Sequence, residues 1–483
     1  MSRLVVGVDS STQSVKAEAR ELETGQVVGV AHRSHPPTTP PRSEQDPAAW
    51  WDAMVEVVTE VGGHGSLAAI SVAGQQHGMV CLDADGAVIR PAKLWNDTES
   101  APEAAGLVDA LGEAEWAVAC GSVPVPAFTV TKLAWLANHE PESFDRLASV
   151  LLPHDWLTYR LTGRRVTDRG DASGTGYWSP SEGRWRTDLL ELVAADVDWG
   201  PMLPTVLRPF DPAGWLLDDV AASLGLGSHA VLIGPGTGDN MAAAMGMGMD
   251  VGDVAISLGT SGTVYSISAT PTADASGTVA GFADATGRFL PLVCTLNATK
   301  VTEAIRRLLG VDHGEFDALA LSEPAGSGGV VVLPYFDGER TPNRPDATGS
   351  VSGLRSDVRQ GQLARAAVEG VVCGLLDGLD ALQSAGVRTD GRLFLLGGGG
   401  RSAAYQRVVA DLTQRTVLVP DEDEHVAAGA CVQAAMVAHQ HAGRHISAAE
   451  LAASWGLGCG TTIEPDRTVD PGRVRRAYAA LRA

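Results

Sequence analysis

With 483 residues the chain is long enough for about two to four domains, and its 45% hydrophobic and 19% charged content is that of an ordinary globular protein rather than a disordered one. Its 58 acidic groups outnumber its 36 basic ones, and the net charge of -22 argues against nucleic-acid and anionic membrane partners. Any phosphate bound here must be held by local devices: backbone N–H nests, helix N-termini or a divalent cation.

From the N-terminus, Leu4 to Val8 reads as a buried strand, too short for a signal peptide, ending in Asp9 and the turn SSTQS. Val15 to Arg20 and Val27 to Ala31 flank ETGQ as a hairpin. A helix follows, with Asp46 as N-cap, Pro47 at its first position and Trp50, Met54, Val57, Val58 and Val61 at helical spacing up to Gly62. AAISVA is a strand, GQQHG a loop, MVCL a strand and DADG a tight turn. Further on come the strand VLIG, the loop GTGDN, the helix MAAAMG and the strands VAISL and VYSIS either side of TSGT. The last stretch has a long helix within Gln362 to Ser384, the strand LFLL, the loop GGGG, a helix from Ser402, the strand VLVP and a helix around Val426 to Ala438. No apolar run reaches membrane-span length. The six cysteines are scattered without CxxC or Cys/His spacing, which predicts small core residues in a reducing cytoplasm and no zinc site or disulfide framework.

Two stretches say nearly the same thing. Asp9-Ser10-Ser11-Thr12-Gln13-Ser14 and Ser257-Leu258-Gly259-Thr260-Ser261-Gly262 each put a strand, a tight turn and a second strand in one register. Turns of Ser, Thr and Gly are common singly, but two in matching halves predict a duplicated domain with two phosphate-holding hairpins facing a cleft. There is no GxxxxGK[ST], and GGGGRS lacks the GxGxxG spacing, which sets aside P-loop and Rossmann sites. The pattern resembles instead the duplicated α/β fold of sugar kinases, actin and Hsp70-type ATPases, two ribonuclease H-like domains with an interdomain cleft.

Within that group the motifs GVDSSTQSVK, SEQDPAAWW, GQQHG, LWND, LPHDWLTYRLTG, TGDN, ISLGTSG, LPYFDGERTPN and LLGGGGRS, in this order from Gly7 to about Ala438, resemble the FGGY family of carbohydrate kinases, and most of all its D-xylulose branch. LPYFDGERTPN is the most specific of them. The resemblance implies ATP-dependent phosphorylation of D-xylulose in pentose catabolism, with Mg²⁺. It also implies a first domain over 1–246 for sugar and base, a second over 247–440 for nucleotide, an extension over 441–483 on the second domain, and a homodimer. A sister kinase for L-ribulose, glycerol or gluconate would share this fold and its base. A non-catalytic actin-like nucleotide switch would share the cleft but need no sugar pocket.

Asp239, in GTGDN between an apolar strand and an Ala-rich helix, is the expected general base, kept ionised by the helix start. Asp9, at the first strand's end, is expected to hold Mg²⁺ and so take part in catalysis. The second hairpin writes Ser257 in that place and offers Gly259 and Thr260 to phosphate. Where the family commonly has glycines, this chain has Ser11 and Ser14, so the first turn either does without positive φ or is strained at Ser11. Thr12 is retained and is the expected phosphate contact there. For the sugar, Gln76 and His77 offer donors and acceptors to vicinal hydroxyls, although the family commonly has Met at the position of Gln76. Trp95, Asn96 and Asp97 are expected to complete the pocket. The nucleotide base is expected near Gly398, Gly399 and Ser402. Glu339 and Arg340 are read as a structural ion pair or a cleft-closing pair, outside the catalytic set.

Overall fold

The computed structural model describes residues 3–226, 230–422 and 424–482. The chain opens as an antiparallel meander of β1 (Arg3–Ser10), β2 (Ser14–Glu21) and β3 (Val27–Ser34). It crosses over through α1 (Pro47–Gly62). The Asp46 carboxylate accepts from the Ala48 N–H at 3.0 Å, Pro47 occupies a position that needs no N–H, and Trp50, Met54, Val57, Val58 and Val61 are buried. β4 (Ser66–Gly74) then lies parallel to β1. After α2 (Pro153–Thr162), the strands β5 (Gly214–Trp215), β6 (Leu232–Ile233) and β7 (Thr237–Gly238) lead into α3 (Asp239–Gly246). The first sheet has the order β5-β6-β4-β1-β2-β3, with β7 also on β4.

The second half comprises β8 (Val254–Leu258), β9 (Gly262–Ser266), β10 (Ala280–Ala283), β11 (Phe289–Thr295), α4 (Thr299–Leu309), α5 (Gln360–Ser384), β12 (Leu393–Leu396), α6 (Ala403–Thr413), β13 (Val417–Pro420), α7 (His425–His441) and β14 (Gly460–Ile463). Its sheet has the order β10-β11-β9-β8-β12-β13-β14. From β3 to β5 in the first sheet, and from β11 to β14 in the second, neighbouring strands pair antiparallel, antiparallel, parallel, parallel, antiparallel. The duplication read from two hairpins extends to the whole sheet.

Three cores hold this together. One sheet face packs on α1 and α2, a face of the second packs on α5, and a central core joins both halves, with Met241 and Met245 of α3 in one cluster with Tyr265, Phe282 and Leu292. The helix α7 lies between β13 and β14 of the second sheet in sequence but packs on β1, β4 and α3 of the first. Backbones touch there. A Cβ at Gly7 would stand 2.1 Å from Ala427 O, and one at Gly429 1.8 Å from Ala242 O, so only glycine fits at either place. Across the same seam Lys16 pairs with Glu424 (2.7 Å) and Arg20 with Glu422 (2.8 Å).

No described helix is long and apolar enough to cross a membrane. All six cysteines are free; Cys81, Cys120, Cys373 and Cys431 are buried as small core residues, whereas Cys294 is half-buried and Cys459 exposed.

Candidate active site

Asp239 is the first residue of α3, with Gly238 at the N-cap, so it is inside the helix rather than capping it. Its Oδ1 accepts from the Asn240 N–H (2.7 Å) and from Asn240 Nδ2 (2.9 Å). Oδ2 accepts no described hydrogen bond and is left for a ligand. The helix start does not decide its ionisation, contrary to expectation: burial, with the charge of Asp171 behind it, pushes the Asp239 pKa up to about 7 despite these bonds.

Asp9 is 7% exposed at the end of β1, and its Oδ1 is buried with no hydrogen-bond partner among the described residues. Burial, followed by the neighbouring charge of Asp239, lifts it to about 7 as well. An unpartnered buried carboxylate oxygen beside a second carboxylate is an arrangement that a divalent cation relieves. The serine turn that follows is unstrained: the Ser11 N–H and Oγ both donate to Ser14 O at 2.9 Å, and neither serine has positive φ. Thr12 departs from expectation. Its hydroxyl donates to Gln75 Oε1 (3.0 Å) and accepts from Trp95 Nε1 (2.9 Å), which commits it to bracing the loops rather than to phosphate.

On the sugar side, His77 takes the left-handed conformation (φ 66°), which turns its ring between Phe128 and Phe282 at 5.0 and 5.5 Å, the latter from the second sheet. Its Nδ1 lies 2.7 Å from Gly174 O; a carbonyl only accepts, so Nδ1 carries the proton and Nε2 is an acceptor. Gly174 makes the contact, since a Cβ there would stand 2.5 Å from the imidazole. Burial pushes the His77 pKa down to about 3, which keeps the ring neutral. Gln76 Oε1 accepts from Asn240 Nδ2 at 2.8 Å, and Gln76 Nε2 is a buried donor without a described partner.

The LWND trio divides. Trp95 is 42% exposed beside the first turn, and Asn96 is half-buried with its Oδ1 unpartnered. Asp97 is 0% exposed and faces inward. It accepts from Lys93 Nζ (3.1 Å to each oxygen) and from the N–H groups of Ser43 (2.8 Å) and Glu99 (3.1 Å), so it holds the turn and is not a sugar contact. Lys93 also meets Glu44 (3.3 Å) and Glu99 (2.6 Å), which makes this acidic cluster an ion-pair network rather than a metal site.

In the second domain Gly259, Thr260, Gly398, Gly399 and Ser402 line one cavity of about 730 Å³, walled by Leu258, Phe316 and Tyr405 and rimmed by Lys300, Arg306 and Arg401. Gly259 O receives the Thr299 N–H (3.0 Å) and Oγ1 (2.7 Å), which ties the second hairpin to the start of α4. A Cβ at Gly399 would stand 2.6 Å from Thr299 Cγ2, whereas one at Gly398 would meet nothing, so Gly398 faces open space. Ser402 lines the wall as N-cap of α6: its Oγ donates to Asp317 (2.6 Å) and accepts from the Tyr405 N–H (3.3 Å), so its hydroxyl is already engaged.

Models of the FGGY family of carbohydrate kinases match this chain twice, the N-terminal domain over residues 4–246 and the C-terminal domain over 254–438. The chain belongs to the FGGY family of carbohydrate kinases. It is 45% identical to a xylulose kinase of Streptomyces coelicolor over 95% of this chain and 92% of that one. With a xylulose kinase of Streptomyces rubiginosus the identity is 47% over 89% and 87%. The crystal structure of xylulose kinase from Bifidobacterium adolescentis, 40% identical, matches with a TM-score of 0.88 over 100% of both chains.

Two parts of this kinase's site escaped the sequence reading. Beneath the sugar loop, the fully buried His154 Nε2 lies 3.2 Å from Asp155, 3.2 Å from Asp171 and 3.7 Å from Asp168. Burial opposes its charge, but the three carboxylates outweigh burial and push its pKa up to about 9. Asp168 accepts from Thr237 Oγ1 (2.7 Å) in the strand leading to the base. The signal was present in LPHDW, a His-Asp pair at the edge of an apolar stretch. The other part is Gln433 of α7, whose Nε2 donates to Gly236 O (2.9 Å) and whose Oε1 accepts from Ser71 Oγ, so the loop before the base is held by a helix from the other half.

Proposed function

We propose that this carbohydrate kinase transfers the γ-phosphoryl group of ATP to D-xylulose, giving D-xylulose 5-phosphate and ADP. The observation that carries the reading is Asp239: one carboxylate oxygen is fixed by Asn240, the other is open, and the pKa of about 7 suits a group that takes a proton near neutrality. The names of the relatives support the sugar. His77 Nε2 accepts a bond from one sugar hydroxyl and Gln76 Nε2 donates to another. Asp239 Oδ2 removes the proton from the reacting hydroxyl as its oxygen bonds to phosphorus and the bond from phosphorus to ADP breaks. Gly259, Thr260 and the open face at Gly398 receive the nucleotide. Asp9, with its unpartnered Oδ1, would hold Mg²⁺, which would neutralise charge on the phosphate oxygens.

The test is ADP release from Mg-ATP with D-xylulose, L-ribulose, glycerol, gluconate or no sugar, alongside Asp239→Asn. Saturable release favouring D-xylulose, reduced about 10²- to 10⁴-fold in the variant, is the expected result. Preference for another sugar overturns the substrate assignment, and sugar-independent turnover overturns the kinase reading.

A further inference from the structure

The segment 333–343, the family's most specific motif in this chain, carries two adjacent charged residues, Glu339 and Arg340, whose side chains do not pair with each other. Glu339 is 2% exposed, and its carboxylate accepts from the N–H groups of Leu296 (2.6 Å) and Arg340 (2.8 Å) and from Asn297 Nδ2 (2.8 Å). On the other side Thr341 Oγ1 donates to Cys294 O at 2.7 Å. The backbone around Arg340 is therefore pinned on both flanks to the end of β11, the strand whose neighbour β10 carries the Phe282 that packs on His77.

Arg340 is half-buried, and its guanidinium makes no hydrogen bond or ion pair with any described residue. Interior arginines elsewhere in the chain are matched: Arg20 with Glu18 and Glu422, Arg90 with Glu44 and Glu140, Arg365 with Glu369. In a chain of net charge -22 an unmatched cation at this depth is conspicuous, because desolvating it has no compensating partner. Its position follows from the strand end to which it is pinned: Thr295 and Cys294 of β11 pair with Gly262 and Thr263 of β9, and the Ala298 N–H donates to Thr260 O at 3.2 Å, so Arg340 stands beside the second hairpin turn, the one offered to phosphate. Its positive charge also acts on the His77 imidazole and on the Cys294 thiol.

The sugar is neutral, so it brings no anion to Arg340. The anion arrives with the chemistry. As the hydroxyl proton passes to Asp239 Oδ2, the hydroxyl oxygen bonds to the γ-phosphorus and the bond to ADP breaks, its electron pair leaving with ADP. Charge on the three non-bridging oxygens moves from the nucleotide side to the sugar side. We propose that Arg340 is a catalytic residue that binds those oxygens during transfer and stays on the phosphate of the sugar product. It donates N–H groups and keeps its own proton throughout. A cation placed where charge develops, rather than where it starts, favours the transition state over the ground state.

This rests on the kinase reading above, and the test separates the two. Wild type, Arg340→Met and Arg340→Lys are compared for ADP release with Mg-ATP and D-xylulose, for D-xylulose affinity by tryptophan fluorescence without nucleotide, for D-xylulose 5-phosphate affinity by calorimetry, and for thermal midpoint. The expected result is a kcat lowered about 10³-fold in Arg340→Met, partly restored in Arg340→Lys. Sugar phosphate affinity falls with it, while sugar affinity and thermal midpoint stay unchanged. A kcat near wild type in Arg340→Met, or a loss confined to sugar affinity, overturns the proposal while leaving the kinase intact. A wild type that phosphorylates no sugar overturns both.

Discussion

Gln76 and Asp239 share one amide: Asn240 Nδ2 donates to Gln76 Oε1 at 2.8 Å and to Asp239 Oδ1 at 2.9 Å. The sugar loop and the base are thereby registered to each other, and a Met at position 76 offers no acceptor. Gln76→Met is expected to lower kcat/KM for the sugar about 10- to 100-fold, as the loss of a part-buried hydrogen bond and a sugar contact implies. Steady-state ADP release across the sugar panel measures it, and shows in the same experiment whether sugar preference moves.

The pH dependence follows from the two raised carboxylates. Asp239 works as a base only when deprotonated, and burial puts both it and Asp9 at about 7. The acidic limb of kcat/KM is therefore expected near pH 7 and belongs to the pair rather than to either residue. Activity is present above that value and falls as pH drops through it. A limb near the ordinary carboxylate range, in a pH–rate profile, would mean that the cleft solvates these groups.

The same shifts bear on stability with the opposite sign. A carboxyl whose folded pKa is raised contributes stability below its ordinary value of 3.8, and that contribution is lost as pH rises through about 7. Without ligands, then, the protein at alkaline pH carries two buried, mutually repelling charges. Asp239→Asn removes one and is expected to raise the thermal midpoint at alkaline pH, with the gain vanishing below the ordinary carboxylate pKa. Thermal shift across pH checks it.

His154 is the counter-charge to three buried carboxylates. Its folded pKa is about 9, so its contribution is full below its ordinary 6.5 and is lost as pH rises through 9. His154→Leu is expected to cost about 3–5 kcal/mol near neutrality, the usual consequence of stranding buried charge. Urea unfolding measures it, and the difference from wild type is expected to narrow above pH 9.

The α3–α7 crossing ties the base to the nucleotide half. Gly429→Val has no room beside Ala242 O and is expected to cost about 1–3 kcal/mol or more and to lower kcat by shifting α3. Binding of sugar with a nonhydrolysable ATP analogue is expected to close the cleft in the wild type. Small-angle scattering detects the compaction; its absence would remove closure from the mechanism.

How much of this was legible beforehand differs by segment. α1 was readable because one apolar stripe, one capping Asp and one Pro sit at helical spacing, and the β1–β2 and β8–β9 hairpins because two distant turns share a grammar. Residues 98–226 were not, because their strands of two or three residues and their single-turn helices, such as Pro141–Phe144, Arg169–Ala172 and Thr187–Leu190, are too short to show a period. The loops of Asp9, His77, Asp239 and Gly398 were found from local residue types together with the family resemblance that their motifs carry.

What local pattern determined is which faces are apolar, where the chain turns and which side chains are chemically able to act. Only the tertiary structure decided that Asp97 meets Lys93 instead of the cleft, that Thr12 braces Trp95, that α7 lies on the opposite half, and that Asp239 sits at about 7 rather than low. The reason is physical: a side chain's partner, its access to water and hence its charge depend on which distant segments reach the same point, and spacing along the chain does not encode that.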